Sequence, residues 1–208
     1  MSPVHAWYSY PENIALIIAG LCISFFVFFV MQNNSRLEKM RSAFEIMAIT
    51  DPLTGIFNRR HFFNVAQISN EKARRQKTNA FIVIFDIDRF KQVNDKYGHT
   101  IGDKVLLDIT ARVKAGIRPY DIFARYGGEE FIIYTSDITN DEVYEMAERL
   151  RLNLCNNQFE YEDVSFSLSA SFGIAHIADY NIENTIKYAD EALYTAKREG
   201  RNRVVVYR

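Results

Sequence analysis

Phe81-Ile82-Val83-Ile84-Phe85 is an unbroken apolar run of five residues, too short for a helix and rich in β-branched and aromatic side chains. Such a run reads as a central strand covered on both faces, and Asp86-Ile87-Asp88 stands at its end. Working outward, a helix rich in basic residues is expected before it, ending near Lys77. After it, Val105, Ile109, Val113 and Ile117 recur every fourth position, which predicts an amphipathic helix from about Gly102 to Ile117. Ile122 to Tyr126 and Phe131 to Tyr134 bracket a Gly-Gly pair as a hairpin. Another helix, from Asp141 to about Leu154, precedes a strict alternation of Val164, Phe166, Leu168, Ala170, Phe172 and Ile174 with Ser165, Ser167, Ser169, Ser171 and Gly173. That pattern predicts one long strand with a buried face and a polar face. Ile186, Ala189, Leu193 and Ala196 mark a last helix stopped by Gly200, and Arg203 to Tyr207 closes the sheet as an edge strand. The order implies an α+β fold, an antiparallel central sheet flanked by helices.

The N-terminal fifth is different in kind. Ile14 to Met31 contains no charged residue, and at 1.5 Å per residue it reaches roughly 27 Å, enough for one bilayer crossing. A cleaved leader is the rival reading, but residues 1 to 13 hold no Lys or Arg and Gln32-Asn33-Asn34-Ser35 offers no small-residue cleavage site. A helix buried in a globular core is the bland alternative, disfavoured because the stretch is apolar on every face. The sequence therefore predicts a retained transmembrane helix over 14–31, with residues 1–13 as a short extracytoplasmic segment. Arg36, Lys39 and Arg41 follow the span, which puts the C-terminal bulk in the cytoplasm of a single-pass inner-membrane protein. Leu37, Met40, Phe44 and Met47 then keep an a/d rhythm, so 32–50 is expected to be a helical stalk, either a short coiled coil that pairs two chains or a plain connector. Asp51-Pro52 marks the start of the domain over 51–208, since the residue before proline is pushed out of helical conformation.

All 25 basic residues and all but Glu12 of the 26 acidic ones follow Met31, leaving that part neutral overall. A nucleic-acid binder would carry a basic stripe, so no nucleic-acid partner is expected. Cys22 in the span and Cys155 beyond it suit neither a disulfide nor a zinc site and are expected to be packing residues.

Two acidic pairs carry the chemistry. Asp86 and Asp88 sit at the mouth of a buried strand, where ionised groups are costly unless a cation or donors compensate them. Alone, they would be ordinary turn or capping residues. Glu129 and Glu130, in Gly127-Gly128-Glu129-Glu130-Phe131, are adjacent carboxylates on a turn whose glycines can take positive φ and let a ligand approach. A divalent ion shared with phosphate would relieve their repulsion, the bland alternative being a solvated hairpin tip.

In these residues the chain resembles the GGDEF family of diguanylate cyclases in its GGEEF form. The resemblance runs over residues 50 to 208 through Asp51-Pro52-Leu53-Thr54-Gly55, Asn58-Arg59-Arg60, the run from Asp86 to Asp103, Ser171-Phe172-Gly173-Ile174-Ala175 and Ala189-Asp190-Glu191-Ala192-Leu193-Tyr194. Several motifs in one order are far more specific than any one of them. The resemblance implies a palm-like nucleotidyl-cyclase fold and a reaction that joins two GTP into cyclic di-GMP. It implies that Asp86, the carbonyl of Ile87 and Glu129 bind two magnesium ions per active site; the residues alone would have included Asp88, which the resemblance sets aside. Glu129 or Glu130 would take the hydroxyl proton, and sequence leaves both open.

By the same resemblance, Lys91 steadies charge at the reacting phosphate. Lys197 and Arg201, four apart and so expected on one helical face, hold the outer phosphates. Asn94 and Asp103 read guanine, a carboxylate accepting from N1–H and N2–H that adenine lacks. His99 is assigned to substrate positioning. Arg118-Pro119-Tyr120-Asp121 matches the family's RxxD site, where cyclic di-GMP would dock and inhibit. Each domain would hold one GTP, so a homodimer is expected. The competing readings are a silent cyclic di-GMP receptor, and a cyclase that makes a cyclic mononucleotide or accepts ATP.

Overall fold

The computed structural model describes residues 11–161, 164–178 and 181–208, and within the first helix no side chain of residues 11–13, 39 or 42–45. In chain order the elements are α1 (Pro11–Ile49), β1 (Phe57–Asn58), α2 (Arg59–Gln76), β2 (Ala80–Ile87), α3 (Phe90–Tyr97), α4 (His99–Gly116), β3 (Ile122–Arg125), β4 (Glu130–Ser136), α5 (Asn140–Asn156), β5 (Phe159–Tyr161), β6 (Val164–Phe166), β7 (Ala170–His176), α6 (Ile182–Arg198) and β8 (Val204–Val206). Residues 49–208 form one compact unit, and α1 belongs to another up to residue 48.

α1 is a continuous helix of 39 residues. Its stretch Ile14–Glu38 has a mean hydropathy of 2.9 with no part buried, so it is one helix long and apolar enough to cross a membrane. The helix runs unbroken through the expected span and stalk. Leu37, Met40 and Met47 are exposed along it, while the Phe44 side chain and residues 1–10 of the expected segment 1–13 lie outside the described residues.

In the compact unit, β2 lies at the centre of a six-stranded sheet ordered β1-β3-β4-β2-β7-β8, and all eight of its residues are buried. Its pairings with β4 and β7, and that of β3 with β4, are antiparallel, whereas β1 joins β3 and β8 joins β7 in parallel. The sheet is therefore mixed, antiparallel at the centre with parallel edges. Edge partners are chosen by long-range packing, which local periodicity does not encode.

Odd-numbered residues of β2 (Phe81, Val83, Phe85, Ile87) meet Val105, Ile109 and Val113 of α4 and Val143, Met146 and Leu150 of α5 in one core. Even-numbered ones (Ala80, Ile82, Ile84) meet Phe62 and Ala66 of α2 and Ile186, Ala189 and Leu193 of α6 in a second core on the other face. Continuous hydrophobicity in β2 is thus the consequence of helices on both sides.

Three expectations are corrected. The alternating stretch 164–174 is two strands, because β6 pairs with β5 in a separate hairpin and β7 starts at Ala170. Of its small residues Ser165 and Ser167 are exposed, whereas Ser171 and Gly173 are buried: a Cβ on Gly173 would strike the backbone of Ala189 and Leu193, so α6 packs there on a surface that only glycine leaves open. Second, a short helix, α3, precedes α4, and the two meet at Gly98, whose φ of 82° is a conformation that favours glycine. Third, Gly127 and Gly128 are absent from the positive-φ glycines, which are Gly55, Gly98 and Gly200. Gly127 supplies space instead, since a Cβ there would lie 2.7 Å from Glu130 Oε2.

Candidate active site

The register of the central strands assembles the site. Asp86 is cross-strand partner to Glu130 on β4 and to Ser171 on β7. Residues directly opposite share a face of the sheet. A carboxylate therefore continues the even-numbered row of β2, on the side that α6 covers. There Lys197 Nζ lies 2.9 Å from Asp86 Oδ2, and the Asp86 side chain is 9% exposed. Burial, followed by the negative charges of Glu129 and Glu130, pushes Asp86 up to about 6 against the pull of Lys197. Burial and the neighbouring Glu130 likewise raise Glu129, again opposed by Lys197. Asp86 and Glu129 thus share one ammonium, with the charge of Glu130 acting on both.

The turn that carries Glu129 is held from below. Tyr126 N and Gly127 N both donate to Glu130 O, at 2.8 and 3.2 Å, and Ile87 N donates to Glu129 O at 3.4 Å. Arg125 donates to Gly128 O through Nε at 3.0 Å and Nη2 at 2.6 Å, and its Nη1 reaches Asp51 Oδ1 at 3.1 Å. Asp51 is fixed in turn by Thr54 N and Thr54 Oγ1, at 2.8 and 2.7 Å. Asn58 caps α2 by accepting from His61 N at 2.9 Å and donates to Thr50 O at 3.2 Å. The two motifs at the start of the domain are thereby explained as a brace for the glycine turn. Arg125 was missed by sequence reasoning, its one signal being its place two residues before Gly127.

Asp88 was first read as a ligand from its residue type, and the structure gives it other work. Its Oδ1 accepts from Ser171 Oγ at 2.7 Å, and its Oδ2 from Ser169 Oγ at 2.6 Å and Asn202 N at 3.1 Å. With its own amide bonded to Ser169 O at 2.8 Å, Asp88 ties three segments together with both oxygens occupied. Asn202 also donates to Cys155 Sγ at 3.3 Å, so that cysteine is an acceptor; Cys22 is exposed on α1, and both are free thiols.

Lys91 and Asn94 share one face of α3, the first exposed and the second half-buried. Asn94 lies directly against Gly102, where any Cβ would collide with its Oδ1, so the helices on either side of Gly98 bring Asn94 beside the turn that bears Asp103. His99 is the first residue of α4, and His99 and Asp103 are both exposed. Arg201 corrects the expectation of a shared helical face with Lys197: α6 ends at Arg198, and Arg201 sits beyond it with φ 66°.

Arg118 and Asp121 lie at the opposite end of β3 from the glycine turn. Arg118 N donates to Asp121 Oδ2 at 2.8 Å, and Arg118 Nη1 to Asp137 O at 3.4 Å. Asp121 Oδ1 is buried without a hydrogen-bond partner, beside a cavity of about 300 Å³ lined by Ile56, Phe57, Lys114, Pro119 and Phe123.

Among the described residues no three Asp, Glu, His or Cys side chains form a ready-made metal cage. Magnesium does not need one, since it takes one or two carboxylates together with substrate phosphates. The crowded acids fit that donor set: Asp86 ends a buried strand, two further carboxylates raise its pKa, and Lys197 opposes them.

The family described as diguanylate cyclase, GGDEF domain, matches residues 48–203. The diguanylate cyclase DosC of Escherichia coli is 37% identical over 163 residues, covering 76% of this chain and 35% of DosC. The chain spans about a quarter to a third of the length of the curated relatives it matches. Among solved structures, the coiled coil and GGDEF domain of DgcB from Caulobacter crescentus, in complex with c-di-GMP, superposes with a TM-score of 0.81 at 26% identity, covering 88% of this chain and 98% of that one. The active GGEEF domain of a diguanylate cyclase from Vibrio cholerae gives 0.68 at 31% identity, covering 73% and 97%.

Proposed function

Because the chain belongs to the GGDEF-domain family of diguanylate cyclases, we propose that it condenses two GTP into cyclic di-GMP with release of two pyrophosphates. The observation that supports this reading most is the crowding of Glu129 and Glu130 against Asp86, itself paired with Lys197, at a strand end.

In each half-reaction the 3′-oxygen of one GTP forms a bond to the α-phosphorus of the other, and the bond from that phosphorus to the bridging oxygen breaks. Pyrophosphate leaves with the electron pair, and the hydroxyl proton passes to Glu129 or Glu130. Asp86, the carbonyl of Ile87 and Glu129 would hold two magnesium ions. Such ions lower the pKa of the attacking hydroxyl and neutralise charge on the phosphates. Lys91 meets negative charge at the reacting phosphate, and Lys197 exchanges Asp86 for the outer phosphates, with Arg201 beside it. Asn94 and Asp103 select guanine by its N1–H and N2–H, and His99 orients the substrate. Cyclic di-GMP docks at Arg118 and Asp121 and restrains the enzyme, the buried, unpartnered oxygen of Asp121 being suited to a guanine donor.

The reaction needs two domains, one GTP on each. The domain runs over 51–208, and α1 anchors it through residues 14–31 in the inner membrane as a single-pass homodimer, with 32–50 as the stalk that raises local concentration. In the test, the full chain in detergent micelles is incubated with magnesium and either GTP or ATP, and products are separated by chromatography with mass detection. Cyclic di-GMP from GTP alone, and none from Glu130→Ala, is the expected result. No product from the wild type, together with retained cyclic di-GMP binding, would replace the enzyme by a receptor.

A further inference from the structure

On the other side of α3 lies a cavity of about 400 Å³, and of the residues in its wall only Arg201 has a role in the reaction proposed above. Gln92, Val93 and Lys96 line it, whereas Lys91 and Asn94 do not. At 3.6 residues per turn the two sets point in roughly opposite directions from the helix axis. The wall is basic: Arg89, Lys96 and Arg201 all contribute, and among the described residues none of the three is in an ion pair with a carboxylate. The one acid in the lining, Asp88, has both oxygens bound by Ser169, Ser171 and Asn202 N.

The cavity is also held in shape. Among the described residues five non-glycine residues have left-handed backbone, and three of them, Arg89 (φ 58°), Arg201 (φ 66°) and Asn202 (φ 46°), are in its wall. Non-glycine residues persist in that region only where surrounding structure over-determines them, and such strain gathers at binding sites. Asp88 bonded to Ser169 and Asn202 supplies the constraint, and Tyr97 stacked on Phe166 at 4.9 Å forms part of the wall. Guanidinium and ammonium groups gathered around a small volume on a constrained backbone recognise a compact polyanion with several phosphate oxygens.

We propose that this cavity is a condensed-phosphate site that receives the pyrophosphate leaving the reacting nucleotide. The proposal rests on the cyclase reading for the source of its ligand. Arg201, which the cyclase reading sets against the outer phosphates, shares this wall with Arg89 and Lys96, so a diphosphate released from it passes to those two. Two sources share this chemistry, the leaving group and the diphosphate end of a free nucleotide.

The test is calorimetric titration of the full chain in detergent micelles, free of nucleotide and divalent metal, first with sodium pyrophosphate and then with ADP. Arg89→Gln and Lys96→Gln are each expected to weaken pyrophosphate binding about tenfold, the worth of one charge-assisted hydrogen bond. Lys91→Met, on the opposite face, is expected to leave it within about twofold. Circular dichroism checks that all three variants fold. The reverse pattern, or no measurable binding by a folded wild type, would overturn the proposal, and so would tighter binding of ADP than of pyrophosphate. Cyclic di-GMP synthesis is measured in parallel: a wild type that makes none yet shows the expected binding pattern loses the cyclase reading and keeps the site.

Discussion

Replacing Asp86 by asparagine is expected to strengthen the fold while ending activity, because the carboxylate sits where only a cation makes it welcome. Its side chain is 9% exposed, and burial and the charges of Glu129 and Glu130 outweigh Lys197 to lift its pKa from 3.8 to about 6. An acid whose folded pKa exceeds its unfolded value binds its proton more tightly in the fold. Its contribution to stability is therefore complete below about pH 4 and is lost as pH rises through about 6. The gap between those two values corresponds to about 3 kcal/mol, the cost of holding the charge at pH 8 without metal. Asparagine has the shape of the protonated acid and removes that cost, and Lys197, with a side chain 32% exposed, can turn to water. In thermal unfolding followed by circular dichroism, with chelator present, Asp86→Asn should unfold about 6 to 12 °C higher than wild type at pH 8 and alike at pH 4. A variant that unfolds lower than wild type at pH 8, or shows the same difference at both pH values, would refute the reasoning.

Other substitutions probe the supports. Arg125→Ala frees Gly128 O and Asp51 together, and should lower kcat for cyclic di-GMP synthesis about 10- to 100-fold, a loss typical of the groups that orient metal ligands, with lysine at 125 restoring little. Gly102→Ala pushes Asn94 aside, and should raise KM for GTP about tenfold in initial-rate measurements while kcat changes little; the converse would take Asn94 out of substrate binding. Gly173→Ala drives a methyl group into backbone on α6 that cannot give way, so urea titration should register a loss of about 3 kcal/mol or more.

Much of the fold was legible where burial imposes a pattern. The apolar run of β2 and the stripes of α4, α5 and α6 follow directly from which faces the two cores cover. α3 escaped notice because eight residues with only Phe90 and Val93 buried make no stripe, and the bend at Gly98 depends on a backbone angle that residue type only permits. The break at 167–169 was hidden because serine reads as solvent-facing, whereas Ser169 and Ser171 point at a buried carboxylate 81 and 83 residues earlier in the chain. The meeting of Asp86 with the glycine turn required a register, Asp86 to Glu130, that the spacing of motifs suggests but cannot fix. The bracing of that turn by Asp51 through Arg125 joins residues 74 apart and has no local signature.

That Asp86 and its neighbouring glutamates capture a divalent ion together with nucleotide is most directly tested by electron paramagnetic resonance of manganese, added to the full chain with a non-hydrolysable GTP analogue. The account predicts bound manganese that requires both analogue and protein and disappears in Asp86→Asn. Equal binding by wild type and Asp86→Asn would contradict it.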